Sequence, residues 1–400
     1  MNNATDFESS PPAASPSPGP VFYSKDRRAW IVTRYADIMS VLRDNERFSA
    51  VNSIEIAPFD SFRPEVRAIL ATGYPRFPGM IELDPPVHTR FRNLVNTAFT
   101  PRRVAELEPR IREVVGGLID GLGEDGPIDF VERFAFPLPM TVIGQLVGAN
   151  PEDADLMRDF TNNFRTLEAG LVNTLPLEQQ LQCAERFVQF QRYAAAMIAK
   201  RRASPTDDLT TALMQARMDD GTELDLEQTI SMVIHLLFAG QETTVMLLSS
   251  MLMRLLTKRD LWEAVVKRPE LAPTVVEEAL RFDAPVTYHS RRTKTALELG
   301  GAAIPAGQDV QLIFDIANHD ETAFPEPVEF KVDRADASRH LSFGRGVHFC
   351  VGAPLARLEA RIALRELGSR LPTLHLDPSS AHAYADHQML HALQRLMVDW

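Results

Sequence analysis

Cysteine is nearly absent from this sequence: Cys183 and Cys350 are the only two in 400 residues. That excludes a disulfide framework, a four-cysteine zinc site and an iron–sulfur cluster held by this chain alone, and it predicts a reducing, cytoplasmic setting. A basic excess is missing too. Lys and Arg number 42 against 54 Asp and Glu, a net charge of −12, so no general nucleic-acid surface is expected and any basic docking site has to be local. No charge-free apolar run reaches membrane-spanning length. The most apolar segment, ISMVIHLLFAGQETTVMLLSSMLMRLL, is interrupted by His235, Gln241 and Glu242, and it reads as a buried helix whose polar middle needs partners or a use. No nicotinamide or flavin fingerprint appears. Residues 1–19 lack the basic start and apolar core of an export signal and read as a disordered leader, so neither export nor a membrane is expected.

What is present points to a mainly α chain with a small β region. Residues 20–400 are expected to form a single large domain, although two tightly packed ones compete on length alone. PVFYS and WIVTRY look like short strands, and YADIMSVLRDN turns to helical spacing. Residues 51–83, rich in Pro, Gly and Phe without a sustained period, suggest a long loop, functional or a mere connector. Helical spacing then dominates from DPPVHTRFRNLV through Leu122 and again across 137–257. Beyond Arg281, ALELGGAAIPAGQDVQLIF reads as short strands joined by glycine and proline turns, before a glycine-rich loop and one more helix.

That loop, LSFGRGVHFCVG, holds Cys350 just ahead of the helix. Glycines let a backbone approach a flat ligand closely and adopt positive φ, and a helix N-terminus stabilises a thiolate. A lone cysteine is more often a small buried hydrophobe, which is how Cys183 in LEQQLQCAERF reads. Gly344-x-Gly346 also opens like a dinucleotide fingerprint, but Phe349 stands where the third glycine belongs and no βαβ unit surrounds it. Phe343 through Gly352 spell F-G-x-G-x-H-x-C-x-G, which resembles the haem-binding signature of the cytochrome P450 family. The resemblance covers almost everything from about Pro20 onward and implies a triangular helical prism around a buried haem b. It makes Cys350 the thiolate ligand of the iron, a ligand that favours O–O cleavage.

Further stretches match in family order. Ala239-Gly240-Gln241-Glu242-Thr243-Thr244 resembles the oxygen-activation motif. Small residues leave room above a macrocycle and invite a widened turn. Glu242 is then expected to relay protons and Thr243 to steer them onto reduced dioxygen; taken alone, Thr243 would more often bond back to its own helix. Glu278 and Arg281 form an E-x-x-R pair on one helix face, which the family buries behind the cysteine loop with a second arginine. Arg334 is the candidate partner, and Glu329 stands where relatives often carry arginine. For the two haem propionates the matching positions are His88, Arg92, Arg291 and His348, with Arg292 an alternative to Arg291.

Without redox motifs of its own, the chain implies a separate electron supply, a ferredoxin or flavodoxin with its reductase. Arg357, Arg361 and Arg365 form a basic stripe, either a docking surface or a solvated face. The resemblance places the substrate pocket at the 51–83 loop, the helices around 155–195, Phe238, Ala239, Val286, Thr287 and Met389, and implies an apolar small-molecule substrate. A departure is the N-terminus, where only the leader precedes PVFYS and the first helix usual in soluble bacterial relatives is missing. The leading expectation is a monomeric monooxygenase that inserts one atom of O₂ into a C–H bond. A peroxide-driven or non-oxygenating haem-thiolate enzyme and a haem-based sensor are the rivals.

Overall fold

The structure is a computed structural model and describes residues 19–51, 53, 59–123, 126–168, 171–217, 221–379, 383–384 and 389–400. All of the expected leader except Gly19 lies outside the described residues, as do 52 and 54–58 of the expected loop. The first apolar stretches form strands β1 (Val21–Ser24) and β2 (Ala29–Val32), followed by α1 (Tyr35–Arg43) and β3 (Phe48–Ser49). The 51–83 stretch is not all loop. It holds α2 (Pro64–Leu70), where Pro64 suits a first helical turn and Val66 supplies a buried side chain.

Helices then follow as the spacing predicts. They are α3 (Val87–Ala98), α4 (Pro101–Glu106) and α5 (Glu108–Asp120) and, after the short strand β4 (Ile128–Asp129), α6 (Pro137–Val147), α7 (Ala154–Glu168), α8 (Leu177–Ala203) and α9 (Leu209–Gln215). The apolar segment with the polar middle becomes α10 (Leu226–Thr257). Its start is fixed by a capping box in which Asp225 accepts from the Gln228 amide and Gln228 from the Asp225 amide. By length and hydropathy α10 is long enough to cross a membrane, yet 72% of its most apolar window is buried inside the protein. It is a core helix, packed against α6 and α8 and, farther along, against α12 and α14.

After α11 (Arg259–Lys267) and α12 (Ala272–Phe282) the chain turns to β5 (Tyr288–Thr293), β6 (Leu297–Leu299), β7 (Ala302–Ile304) and β8 (Asp309–Ile313). β1, β2, β8, β5 and β3 make one sheet in that order, with β2 and β8 parallel, so the N-terminal strands close onto the late β region. Val32, Ile38, Val310, Leu312 and Leu341 form a core beneath it. α13 (Phe314–Ala317) leads towards the cysteine loop, which runs into α14 (Ala353–Arg370), and strands β9 (His375–Leu376), β10 (Ala383–Tyr384), β11 (Leu393–Arg395) and β12 (Met397–Asp399) complete the chain.

Behind the cysteine loop sits a fully buried ion cluster. Arg281 donates to both Glu278 oxygens, from Nε at 2.7 Å and Nη2 at 2.9 Å, and Arg334 donates from Nε to Glu278 Oε1 at 3.0 Å. Arg334 is therefore the third member, as expected. Position 329 contributes its backbone: the Glu329 carbonyl accepts from Arg281 Nη2 and Arg334 Nη2, so a glutamate there is compatible with the cluster. The remaining guanidinium protons reach the carbonyls of Asn318, Pro325, Glu326 and Pro327. Asn318 and Ser342 continue the network, Asn318 accepting from the Leu341 amide and Ser342 Oγ donating to the Leu280 carbonyl. The cluster thus ties α12 and the 325–334 segment to the base of the cysteine loop. Glu278→Ala strands two buried guanidinium groups, and denaturant unfolding should show a loss of about 3–5 kcal/mol. A loss below about 1 kcal/mol would place the pair among those of marginal value.

Candidate functional site

Gly344 and Gly346 have φ of +63° and +71°, and a Cβ at Gly346 would lie 2.1 Å from the Leu42 carbonyl oxygen, so that turn accepts only glycine. The Cys350 amide donates to the Phe343 carbonyl at 2.9 Å, closing the loop on itself. Cys350 keeps part of its surface open. Burial pushes its thiol up, while the Gly352 and Ala353 amides at the start of α14 and the charges of Arg92 and Arg357 act in the opposite sense. Cys183 is buried in α8 and donates to Asn163 Oδ1, the packing residue its sequence suggested.

Midway along α10 the burial changes. Leu237, Gln241 and Thr244 are buried, but Ala239 is exposed, and Phe238, Gly240, Glu242 and Thr243 are half-buried, so one face of this core helix borders open space. A Cβ at Gly240 would come within 3.0 Å of Ile143, which shows how tightly α6 packs there. The widened turn expected here is absent: α10 is α-helical throughout, and π geometry occurs instead at Val131–Ala135. Thr243 Oγ1 donates to the Ala239 carbonyl at 2.7 Å and Thr244 Oγ1 to that of Gly240 at 3.0 Å, so both hydroxyl protons are taken by their own helix. The amide of Gln241 has no partner at either end among the described residues.

The four residues matched to haem propionates converge. The His88 and His348 rings lie 4.1 Å apart, and Arg92, one turn beyond His88 on α3, donates to the Phe349 carbonyl at 2.6 Å. Arg291 is buried on β5 with its Nη1 on the Ser290 carbonyl. Arg292, next along the strand, is exposed and pairs with Asp309. His289 belongs to the group as well. It shares a face of β5 with Arg291, and the alternation of HSRR in a strand was the signal for it.

These groups strain against one another. Burial, then the charges of Arg92 and Arg291, hold His88 at about 4. Burial and Arg291 hold His289 at about 3, and burial lowers Arg291 itself to about 10. Asp84 opposes these shifts at His88 and Arg291, but it also accepts from Ser49, the Ala50 amide and Lys294. Both ring nitrogens of His88 are buried without a partner among the described residues. A ligand edge carrying two carboxylates supplies what this group needs, and a haem beside a half-open thiol fits it.

The residues matched to the substrate pocket fall into two sets. Val286 bridges Leu390, and Thr287 donates to the Met389 carbonyl from its amide at 2.8 Å and its hydroxyl at 3.2 Å. Phe238 lies 4.8 Å from Phe164 of α7. On the cysteine side, the basic stripe is partly consumed: Arg357 pairs with both oxygens of Glu277, whereas Arg361 and Arg365 donate only to the carbonyls of Arg357 and Pro269. A cavity of about 640 Å³ opens there, with Glu277, Pro354, Arg357, Leu358 and Arg361 among its walls.

Comparison with known proteins bears directly on this geometry. The family model for cytochrome P450 matches residues 47–371. Cytochrome P450 107B1 of Saccharopolyspora erythraea is 39% identical over 358 residues, covering 88% of this chain and 84% of the relative. Vitamin D(3) 25-hydroxylase of Pseudonocardia autotrophica is 36% identical over 375 residues, 93% of this chain and 88% of the relative. The solved structure of cytochrome P450 CREJ in complex with (4-ethylphenyl) dihydrogen phosphate superposes with a TM-score of 0.87 at 33% identity, covering 95% of this chain and 94% of that one. The chain belongs to the cytochrome P450 family, the haem b oxidoreductases of monooxygenase type.

Proposed function

We propose that this protein hydroxylates an apolar small molecule with one atom of O₂, taking electrons from a separate ferredoxin or flavodoxin with its reductase. The carrying observation is the open face of α10, where Glu242 and Thr243 sit beside exposed Ala239 in a chain that also holds a partly buried cysteine before a helix. Bound haem b supplies the reduction of dioxygen and the oxidation of the C–H bond. Cys350 holds the group, and Phe343 and the loop glycines shape its bed. His88, Arg92, Arg291 and His348, with His289, receive its carboxylates.

Exposed Ala239 leaves space beside the helix, while Gly240 lets α6 pack closely behind it. Glu242 brings protons to that space, and the Thr243 oxygen, with lone pairs free while its proton is on the Ala239 carbonyl, accepts from water there. Val286, Thr287, Met389 and Phe238 exclude bulk water and hold the substrate. Vitamin D(3) 25-hydroxylase names a lipid-like substrate for one relative, in keeping with the aromatic and aliphatic residues at these positions. Residues 20–400 act as one monomeric domain in the cytoplasm; the single domain is supported by the pairing of β2 with β8, which ties the N-terminal strands to the late β region, and by the hydrophobic cluster from Phe91 to Val398. Electron delivery is drawn to Arg361 and Arg365, since Arg357 is engaged by Glu277. The back-bonded Thr243 hydroxyl favours a second reading, peroxide-driven catalysis, which has no need of the relay.

Thr243→Ala distinguishes the two. Under turnover with a surrogate ferredoxin system, the variant should release about tenfold or more additional hydrogen peroxide per product; unchanged coupling would support the peroxide-driven reading. The carboxylate cradle predicts a pH effect. In haem-free protein, the unfolded chain takes up protons below about 6.5 while folded His88 and His289 stay neutral to about 4 and about 3. Stability therefore falls with acid by about 1.4 kcal/mol per pH unit for each histidine. Haem carboxylates favour the protonated rings, so melting temperatures of the loaded protein should fall less steeply from pH 7 to 5; equal slopes would contradict the cradle.

A further inference from the structure

Two neighbouring acids on α12 face different parts of the molecule. Glu278 is consumed by Arg281 and Arg334. Glu277 turns towards α14 and the cysteine loop, where it accepts from Arg357 Nε at 2.5 Å and Nη2 at 2.8 Å and lies 3.3 Å from His340 Nε2. His340 is fully buried, and its Nδ1 accepts from the Ser342 amide at 3.1 Å, so the proton sits on Nε2, on the side of Glu277. Burial alone would raise the Glu277 carboxyl, but Arg357 and His340 outweigh it and hold the group at about 2. It is therefore an anion at any pH where the protein works.

Both partners of Glu277 rest on one aromatic ring. The Arg357 guanidinium carbon stands 4.5 Å from the Phe343 ring centroid, and the His340 ring centre is 5.5 Å from it at a tilt of 54°. Phe343 is also the residue whose carbonyl receives the Cys350 amide. Resting on the haem-thiolate reading above, we propose that Glu277 is a positioning residue for the Cys350 ligand. By clamping Arg357 and facing His340 it fixes the Phe343 ring against the loop that carries the sulfur, and it balances an α14 cation whose field reaches that sulfur.

The sign of the effect follows from charge. Reduction of the iron adds an electron beside the sulfur, so an uncompensated Arg357 cation favours it and an uncompensated Glu277 anion opposes it. Spectroelectrochemical titration of the haem-loaded wild type, Glu277→Gln, Arg357→Gln and the double variant tests this. Glu277→Gln should shift the reduction potential positive, Arg357→Gln should shift it negative, and the double variant should return most of the way to wild type. Glu277→Asp, which keeps the charge, should lie nearer wild type than Glu277→Gln and covers the case in which the Gln variant loads poorly. A purely structural clamp predicts instead losses of haem content and melting temperature that accumulate in the double variant while the potential stays put, and that outcome overturns the proposal. So do unchanged potentials in all variants. If the wild type shows a thiolate-ligand spectrum and the potentials do not move, the clamp fails while the haem-thiolate reading stands.

Discussion

A buried positive charge without a counter-charge costs several kcal/mol, and this fold buries Arg291 where water is largely excluded. Burial, with the charge of Arg291 beside it, pushes His88, His289 and His348 to low pKa values, so these rings stay neutral around the arginine. Asp84 answers only part of this. Such an arrangement is poorly balanced by the chain alone and well balanced by a dianionic ligand. The site's electrostatics and the bed of the thiol loop therefore fit one group from two sides, a haem that Cys350 would hold and whose carboxylates Arg291 and its neighbours would receive.

The surrounding structure holds that bed in place by pairing its buried charges and giving the remaining guanidinium protons backbone partners. Glu278 is shared between Arg281 and Arg334, whose further hydrogen bonds go to backbone carbonyls. Next to it, Glu277 pairs with Arg357 and faces the neutral ring of His340. Two consecutive acids on α12 thereby serve the meander at 325–334 and the cysteine loop separately, because successive helix residues point about 100° apart. Stability and ligand positioning are therefore built from one turn of one helix.

Much of this was legible in the sequence, for identifiable reasons. F-G-x-G-x-H-x-C-x-G and the Glu278–Arg281 pair depend on residue types at short fixed offsets, and such offsets survive without knowledge of the fold. The helical half followed from apolar spacing, and Arg334 was named because the resemblance calls for a second arginine in the segment ahead of the cysteine loop. Other features depend on pairings between distant residues. Arg357 looked like a docking cation because its partner, Glu277, is 80 residues away. The parallel β2–β8 pairing joins Ile31 to Gln311 and carries no local signal. His289 was missed because its strand alternation was not followed through to the neighbouring Arg291. The widened turn in α10 was inferred from the small pair Ala239-Gly240, yet tight packing of Gly240 against Ile143 leaves no room for it and the helix stays regular.

The most direct test of the central claim is the absorption spectrum of the haem-loaded, reduced, carbon-monoxide-bound protein, recorded for the wild type and for Cys350→His. A thiolate from Cys350 predicts a strongly red-shifted Soret band in the wild type and its loss in the variant, whose spectrum should become that of an imidazole-ligated haem. A folded, haem-loaded wild type without the red shift, or a variant that retains it, would contradict the account.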